Sequence, residues 1–142
     1  MADPRLIRAG IAANLDPLDI NQISAYVLDS PSPPCAYVRS GPVEYDLTYG
    51  RGYDTWTFIV YVLVGYVHDI SAQMELDKML MSHGPSSVKT LLESDRSLGG
   101  VVGDNALSVP SVTGARAYTL EGQSARVLGA EWTVQVIASG KE

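Results

Sequence analysis

The longest apolar stretch of the chain determines how the rest must fold, and it reads Trp56-Thr57-Phe58-Ile59-Val60-Tyr61-Val62-Leu63-Val64-Gly65-Tyr66-Val67. A membrane-spanning helix needs about 20 such residues. This stretch is shorter and rich in β-branched side chains, so it predicts a buried strand. Neither of its two alternating sets of side chains is polar, so both faces of the strand need a cover. Helices can supply one cover, and in so short a chain a second subunit could supply the other.

The helical patterns that could supply the first cover lie on both sides of this strand. Residues 4–15 predict a short helix, because Asp3 can cap its N-terminus and Pro4 suits the first helical position. We expect this helix to end near Asp16, because the following proline disfavours helical geometry there. Residues 70–82 predict a second helix, capped by Asp69, and a shorter third helix begins near residue 86 or 87.

The remaining patterns predict strands. Shorter strands are expected at residues 23–28, 35–38, 43–47, 106–112 and 115–120, and a long one ends near residue 138. A break at Ser40-Gly41-Pro42 should separate the second strand from the third. Together these elements predict an α+β fold, with a mixed, mainly antiparallel sheet backed by two or three helices. We expect residues 1–142 to form a single domain.

Composition narrows the classes of function. The chain has 142 residues, a formal net charge of −6 and only 18% charged residues. This balance disfavours a protein that binds nucleic acid phosphates over a broad surface. A single cysteine, Cys35, excludes an internal disulfide framework and a cysteine-cluster zinc site. The N-terminus lacks the apolar stretch of a secretory signal, so an intracellular, reducing setting is the default expectation.

Candidates for catalysis are weak. Cys35 could act as a nucleophile with His68 or His83, but a plain buried thiol is the favoured interpretation. The two histidines lack the spacing of a metal site, and no other catalytic motif is present. We therefore expect no catalytic residue, no cofactor and no metal.

Residues 48–54 form a glycine-rich segment between two strand patterns, and they include Tyr49, Arg51 and Tyr53. The segment lacks the ending of a phosphate-binding loop, so it is either a hairpin connection or a loop that contacts another protein. The chain also has eight tyrosines against one phenylalanine, spread over nearly every predicted strand. Tyrosine suits surfaces that are alternately wet and buried, so these residues are either half-buried sheet residues or part of an oligomer interface. The residues predicted to form an interface with another subunit or another protein are Tyr45, Tyr49, Arg51, Tyr53 and Tyr61.

Several dispersed patches carry a resemblance to a known family. In chain order they are Pro-Pro-Cys-Ala-Tyr-Val at 33–38, Gly-Pro-Val-Glu-Tyr-Asp at 41–46, Gly-Arg-Gly at 50–52, Asp-Thr-Trp-Thr-Phe at 54–58, Ala-Gln-Met-Glu-Leu-Asp-Lys-Met-Leu at 72–80, Leu-Gly-Gly-Val at 98–101 and Leu-Gly-Ala-Glu-Trp-Thr-Val at 128–134. In this order they resemble the tail terminator, or tail-completion, proteins of long-tailed bacteriophages, particularly those that infect actinobacteria. The resemblance spans nearly the whole chain and rests on the order of elements rather than on one diagnostic motif.

The resemblance implies a structural role in a virion. Such proteins form a homo-oligomeric ring, expected here to be a hexamer, that caps the tail tube, ends its polymerisation and joins the tail to the head-side connector or stopper protein. It implies no catalysis, no cofactor and no membrane, with DNA only passing through the channel. The expected location is the tail or neck of the virion, and the host cytoplasm during assembly.

Three alternatives remain open at this point. The chain could be another neck component, namely a head-tail stopper or adaptor. It could be the tail tube protein itself, which would polymerise into long tubes. A small enzyme with Cys35 as nucleophile is the alternative from a different class.

Overall fold

A computed structural model of the chain describes residues 3–18, 20, 22–27, 34–45, 53–66, 68–98, 100, 106–119 and 126–139. At positions 53, 119, 138 and 139 only the backbone is described. The fold is α+β, as predicted, with a mixed sheet and helices that pack on it.

The sheet is built around two long antiparallel strands. Within the described ranges its strands are β1 (Gln22–Ser24), β2 (Cys35–Glu44), β3 (Tyr53–Tyr66), β4 (Leu107–Val112), β5 (Arg116–Thr119) and β6 (Arg126–Ser139). Their order is β1-β2-β3-β6-β4, and β5 also pairs with β6, beyond the end of β4. β1 runs parallel to β2, and the other pairs are antiparallel. The predicted apolar strand is thus β3, which lies in the middle of the sheet between β2 and β6.

Helices occur where the sequence predicts them. They are α1 (Pro4–Asn14), α2 (Ile70–Leu80) and α3 (Val88–Leu92). The side chains of Asp3, Asp69 and Ser87 accept hydrogen bonds from backbone N–H groups of the first turns, so all three act as N-caps. Asp16 does not leave helical geometry, because residues Asp16–Leu18 form a 3₁₀ turn directly after α1.

One face of the sheet carries the main core, and we call it the covered face. Its central side chains are fully buried, among them Val38, Phe58, Val60, Trp132 and Val134. The buried side chains of α1, α2 and α3 all belong to this same cluster: Ile7, Ile11, Ala72, Leu76, Met79, Val88 and Leu92. All three helices therefore pack on the covered face.

The predicted break in the second strand is wrong. Residues 35–38 and 43–47 are not two strands, because β2 continues through Ser40-Gly41-Pro42 to Glu44. The pairing with β3 shifts between Ser40 and Val43, so a bulge accommodates the extra residues. Proline tolerates such a site because its missing N–H is not required by the ladder. Gly41 lies against β3, where a Cβ atom would be only 3.0 Å from the carbonyl oxygen of Thr57.

The first strand is shorter than predicted. β1 ends at Ser24 instead of near residue 28. The Ser24 hydroxyl accepts the N–H of Tyr26 at 3.1 Å, and Arg8 Nη1 donates to the carbonyl oxygens of Ala25 and Val38, both at 2.9 Å. Side chains thus occupy backbone groups of residues 25 and 26 that a longer ladder would have used.

Candidate assembly surface

The second face of the sheet faces away from the helices, and we call it the open face. Cross-strand pairing places its residues in rows: Tyr37 with Tyr61 and Glu131, and Arg39 with Ile59 and Thr133. β5 adds Arg116 and Tyr118 next to the β6 end of these rows. Tyr37, Ile59, Tyr61 and Tyr118 are half-buried, and Arg39 and Arg116 are exposed. The open face is therefore rich in aromatic and aliphatic surface that no described helix covers.

Three tyrosines from three different strands form a row of ring contacts across the open face. The rings of Tyr37 and Tyr61 stack with their centroids 5.0 Å apart and their planes at 4°. The ring of Tyr118 meets Tyr61 edge-on, at 6.0 Å and 65°. We call these three residues the tyrosine row. Such contacts contribute about 0.5–1.5 kcal/mol each beyond the burial of area, so the row is an ordered surface.

Hydrogen bonds fix the polar ends of the tyrosine row. Arg39 Nη1 donates to the hydroxyl oxygen of Tyr61 at 3.2 Å. The hydroxyl of Tyr118 donates to Glu131 Oε2 at 2.6 Å, and Arg116 Nη1 lies 3.4 Å from the same oxygen. The polar groups of Arg39, Tyr61, Arg116, Tyr118 and Glu131 are thus paired with one another on this surface.

The pKa values of two tyrosines of the row, Tyr37 and Tyr118, are raised above the ordinary value of 10.0. Burial raises the pKa of Tyr118, and its hydrogen bond to the Glu131 carboxylate raises it further. Burial also raises the pKa of Tyr37, with a smaller contribution from Tyr61. The charges that an incoming partner meets on this surface are therefore those of Arg39, Arg116 and Glu131.

A small apolar cluster lies next to the tyrosine row. Cys35, Leu63 and Val127 are buried together, and Tyr37 and Tyr118 pack against them. Cys35 has no exposed surface, and burial raises the pKa of its thiol to about 11. A thiol in this state is a poor nucleophile because little thiolate forms at neutral pH. Its geometry is that of a core residue, which weighs against the enzyme alternative.

The predicted interface residues are only partly brought together. Tyr61 lies at the centre of the tyrosine row. Tyr45 follows the end of β2 and is 69% exposed; its ring meets Trp56 edge-on at 6.3 Å. Trp56 packs against the core of the covered face, so Tyr45 and Tyr61 belong to opposite faces.

The other predicted interface residues fall on the glycine-rich segment. Tyr49 and Arg51 lie outside the described residues, and Tyr53 is described only by its backbone, which begins β3 opposite Ser139. Glu44 of β2 pairs with Thr55 of β3, so the segment between them connects two antiparallel strands, as the hairpin interpretation predicted. A contact with another protein at this segment stays a prediction.

Sequence reasoning missed the partners of Tyr61. Tyr37, Tyr118, Arg39 and Glu131 complete the surface, but none was chosen as a site residue. One signal was present, since Tyr37 and Arg39 alternate along one strand and Tyr61 lies on the apolar strand. The pairing that brings β5 beside β6 was not visible in the sequence.

The described part of the chain offers little for other chemistry. It contains no group of three or more histidine, cysteine, aspartate or glutamate side chains that could hold a metal ion. No helix in the described ranges has the length and hydropathy needed to cross a membrane. The open face instead has what a protein contact requires: aromatic residues, arginine and aliphatic area.

No protein-family model matches the chain, and no curated protein matches it.

Proposed function

We propose that this protein is a structural subunit of a phage tail. It forms a ring, taken as a hexamer from the family resemblance, that caps the tail tube, ends tube polymerisation and joins the tail to the head-side connector. The proposed location is the tail or neck of the virion, reached from the host cytoplasm. The tail tube protein and the head-side connector or stopper are its proposed partners, and DNA only passes through the channel.

The observation that carries this proposal is the open face. A monomer gains nothing from leaving Ile59 and the tyrosine row without a cover, because apolar area exposed to water costs about 25 cal/mol per Å². Burying that area against another subunit or the tube recovers this free energy. The low charge content of the chain, 18% of its residues, also suits a subunit with large contact surfaces.

The acidic character of the chain supports the proposed passage of DNA. With a net charge of −6, a ring of such subunits has an excess of carboxylates, which repel phosphates. DNA could then move through the channel without binding to it.

The fold helps to rank the other neck components. Adaptors of this kind are mostly helical and stoppers are predominantly β with fewer helices. This chain combines long strands with α1, α2 and α3. That combination favours a terminator over an adaptor or a stopper. The tail tube protein remains an alternative, and it would differ by polymerising into long tubes.

Electron microscopy of growing tail tubes tests the proposal. Purified protein added to polymerising tube protein should cap the ends, so the length of the tubes stops increasing. The triple variant Tyr49→Ala, Arg51→Ala, Tyr53→Ala should keep the monomer fold but lose this effect, because it removes the side chains expected to touch the tube or a neighbouring subunit.

Three outcomes would contradict parts of the proposal. If tubes grow to the same length with and without the wild-type protein, the terminator role is wrong. If the protein by itself forms long tubes, it is the tube protein. Normal capping by the triple variant would remove the glycine-rich segment from the contact surface.

A further inference from the structure

A second unusual surface lies on the outer side of α2. Ile70, Met74 and Met81 are 71%, 59% and 57% exposed, and Asp77 lies between them on the same side and is also exposed. We call these four residues the outer stripe. The spacing of Ile70, Met74 and Asp77 places them on one side of α2, and Met81 is the C-cap residue directly after the helix. The buried residues Ala72, Leu76 and Met79 point to the covered face from the other side.

The charges around the outer stripe are mainly acidic. Asp69, Glu75 and Asp77 are exposed on α2 or at its N-cap, against a single exposed lysine, Lys78. The open face differs, since Arg39 and Arg116 are its exposed charges and Glu131 is half-buried beneath Arg116. One surface is thus apolar with an acidic border, and the other is apolar and aromatic with basic groups.

We propose that the outer stripe of one copy docks on the open face of the next copy. This inference rests on the proposed ring and specifies the subunit contact that builds it. The exposed methionines and Ile70 would cover Ile59 and the tyrosine row, and Asp77 and its acidic neighbours would face Arg39 and Arg116. Opposite charges then meet at this contact, although two copies of the chain, each with a net charge of −6, repel each other overall.

The positions of the two surfaces decide the symmetry of the contact. The outer stripe and the open face lie on opposite sides of the same sheet, so a contact between them uses different surfaces on the two copies. Such head-to-tail contacts form a ring when the rotation between neighbouring copies closes and an open filament when it does not, whereas a surface that pairs with itself stops at a dimer. Pairing the open face with itself would also place Arg39 and Arg116 of one copy near the same two arginines of the other copy, and these like charges repel.

The open face is large enough for a stable contact. β3 and β6 have 14 residues each, β2 has 10, and β4 and β5 have 6 and 4 along the same edge. Each residue adds about 3.3 Å of length and each strand about 4.8 Å of width. The projected area is roughly 800 Å², which is comparable to the area of about 800 Å² that each partner buries in a specific interface.

Mixing two assembly-deficient variants tests this contact. Ile59→Glu places a carboxylate on the open face opposite the acidic stripe, and Met74→Glu places one in the outer stripe. Each variant alone should be monomeric by light scattering, with assembly weakened at least about tenfold, whereas the wild-type mass rises with concentration to a limiting ring. An equimolar mixture still has one intact pair of surfaces, so it should give a particle of two chains and no ring.

Controls separate this result from misfolding. Leu6→Glu adds the same charge at another exposed apolar position, on α1 and 53% exposed, and should assemble as the wild type does. If Ile59→Glu unfolds at a lower temperature than the wild type, Arg39→Glu is used in its place, because Arg39 is an exposed residue of the open face. Circular dichroism and thermal unfolding check that every variant is folded.

The outcomes distinguish this contact from the proposed function. A mixture that stays monomeric, single variants that assemble normally, or a wild-type protein that forms no ring either by itself or at tube ends would each overturn the contact. If the single variants do not assemble and the wild-type protein forms rings that do not cap growing tail tubes, the contact stands and the terminator role fails. If the variants still assemble and cap tubes, the terminator role stands and the contact is wrong.

Discussion

The two faces of the sheet use the same strands in opposite ways. On the covered face, Phe58, Val60 and Trp132 are at most 1% exposed beneath the helices. On the open face, their neighbours Ile59 and Tyr61 stay half-buried, and none of the described helices packs over them. Strand β3 is apolar on both sides, but of its apolar side chains on the open face only Leu63, in the small cluster with Cys35 and Val127, is buried. The comparison teaches that the half-buried apolar side chains of the open face add less to the stability of the monomer than those of the covered face, which points to a role in assembly.

The largest effect expected from this comparison is on the stability of the monomer. Trp132→Ala should lower the free energy of unfolding by about 3–5 kcal/mol, because it leaves a cavity in the core of the covered face. Ile59 follows Phe58 in β3 but is half-buried on the open face, so Ile59→Ala should lower the free energy of unfolding by only about 1 kcal/mol. Urea unfolding of dilute, unassembled protein measures both. Equal costs would show that the open face is as important to the monomer as the covered face.

A glycine in the central pair of strands should be nearly as sensitive. A Cβ atom at Gly129 would collide with the carbonyl oxygen of Val62 and lie 2.7 Å from Leu63 Cδ2. Gly129→Ala should therefore cost about 1–3 kcal/mol, because one of the clashing atoms is backbone. Gly65→Ala is the matched control, since its Cβ would meet only the Cβ of Ala72 at 3.1 Å. Thermal unfolding should rank the two in this order, and the reverse order would contradict the packing described between β3 and β6.

An ion-pair cluster at the edge of the covered face should make stability depend on acidic pH. Burial raises the pKa of Glu93, but the hydrogen bond and charge of Lys89, the Val109 N–H and Arg96 outweigh it, so its pKa is below the ordinary value of 4.5. Its stabilising contribution is thus complete above pH 4.5 and is lost as the pH falls through the lowered pKa. Glu93→Gln should cost about 1–2 kcal/mol at pH 7.

The pH dependence distinguishes this role from a general loss of packing. Between pH 7 and about pH 3, the urea midpoint of Glu93→Gln should fall less than that of the wild type. Glu75→Gln, at an exposed position of α2, should keep the wild-type slope. An unchanged slope in Glu93→Gln would mean that other carboxylates cause the loss of stability in acid.

The smallest effect is expected at the polar end of the open face. Tyr118→Phe removes the 2.6 Å hydrogen bond to Glu131 and should cost about 1 kcal/mol. Because the pKa of Tyr118 is raised above its ordinary value of 10.0, the unfolded chain ionises first, and wild-type stability should fall as the pH rises above 10. The variant should lose part of this alkaline slope, whereas Tyr66→Phe, at a residue 61% exposed, should not. Identical slopes would contradict the shifted ionisation.

Local signals in the sequence were enough for the elements that depend on local chemistry. The caps at Asp3, Asp69 and Ser87 start helices where expected, since capping involves only neighbouring residues. The alternation of Trp132 and Val134 with Glu131 and Thr133 placed β6 in the sheet with the correct side inward. The apolar strand also predicted a sheet face without a helical cover.

Features that depend on distant residues could not be predicted. Gly41 and Pro42 look like a break, and only the bulge opposite β3 allows the strand to continue through them. The early end of β1 depends on Arg8, which reaches the Ala25 carbonyl from α1. The tyrosine row is a third case, because no local pattern shows that a tyrosine of β5 contacts one of β3.

The mass of the wild-type protein in solution, followed by imaging with and without tail tubes, tests the central claim most directly. The claim is that the open face is covered by another copy of the chain in a ring on the tube. Light scattering across concentration and negative-stain images should show closed rings, or a monomer that becomes a ring only at tube ends. A stable monomer that ignores the tubes would contradict the account.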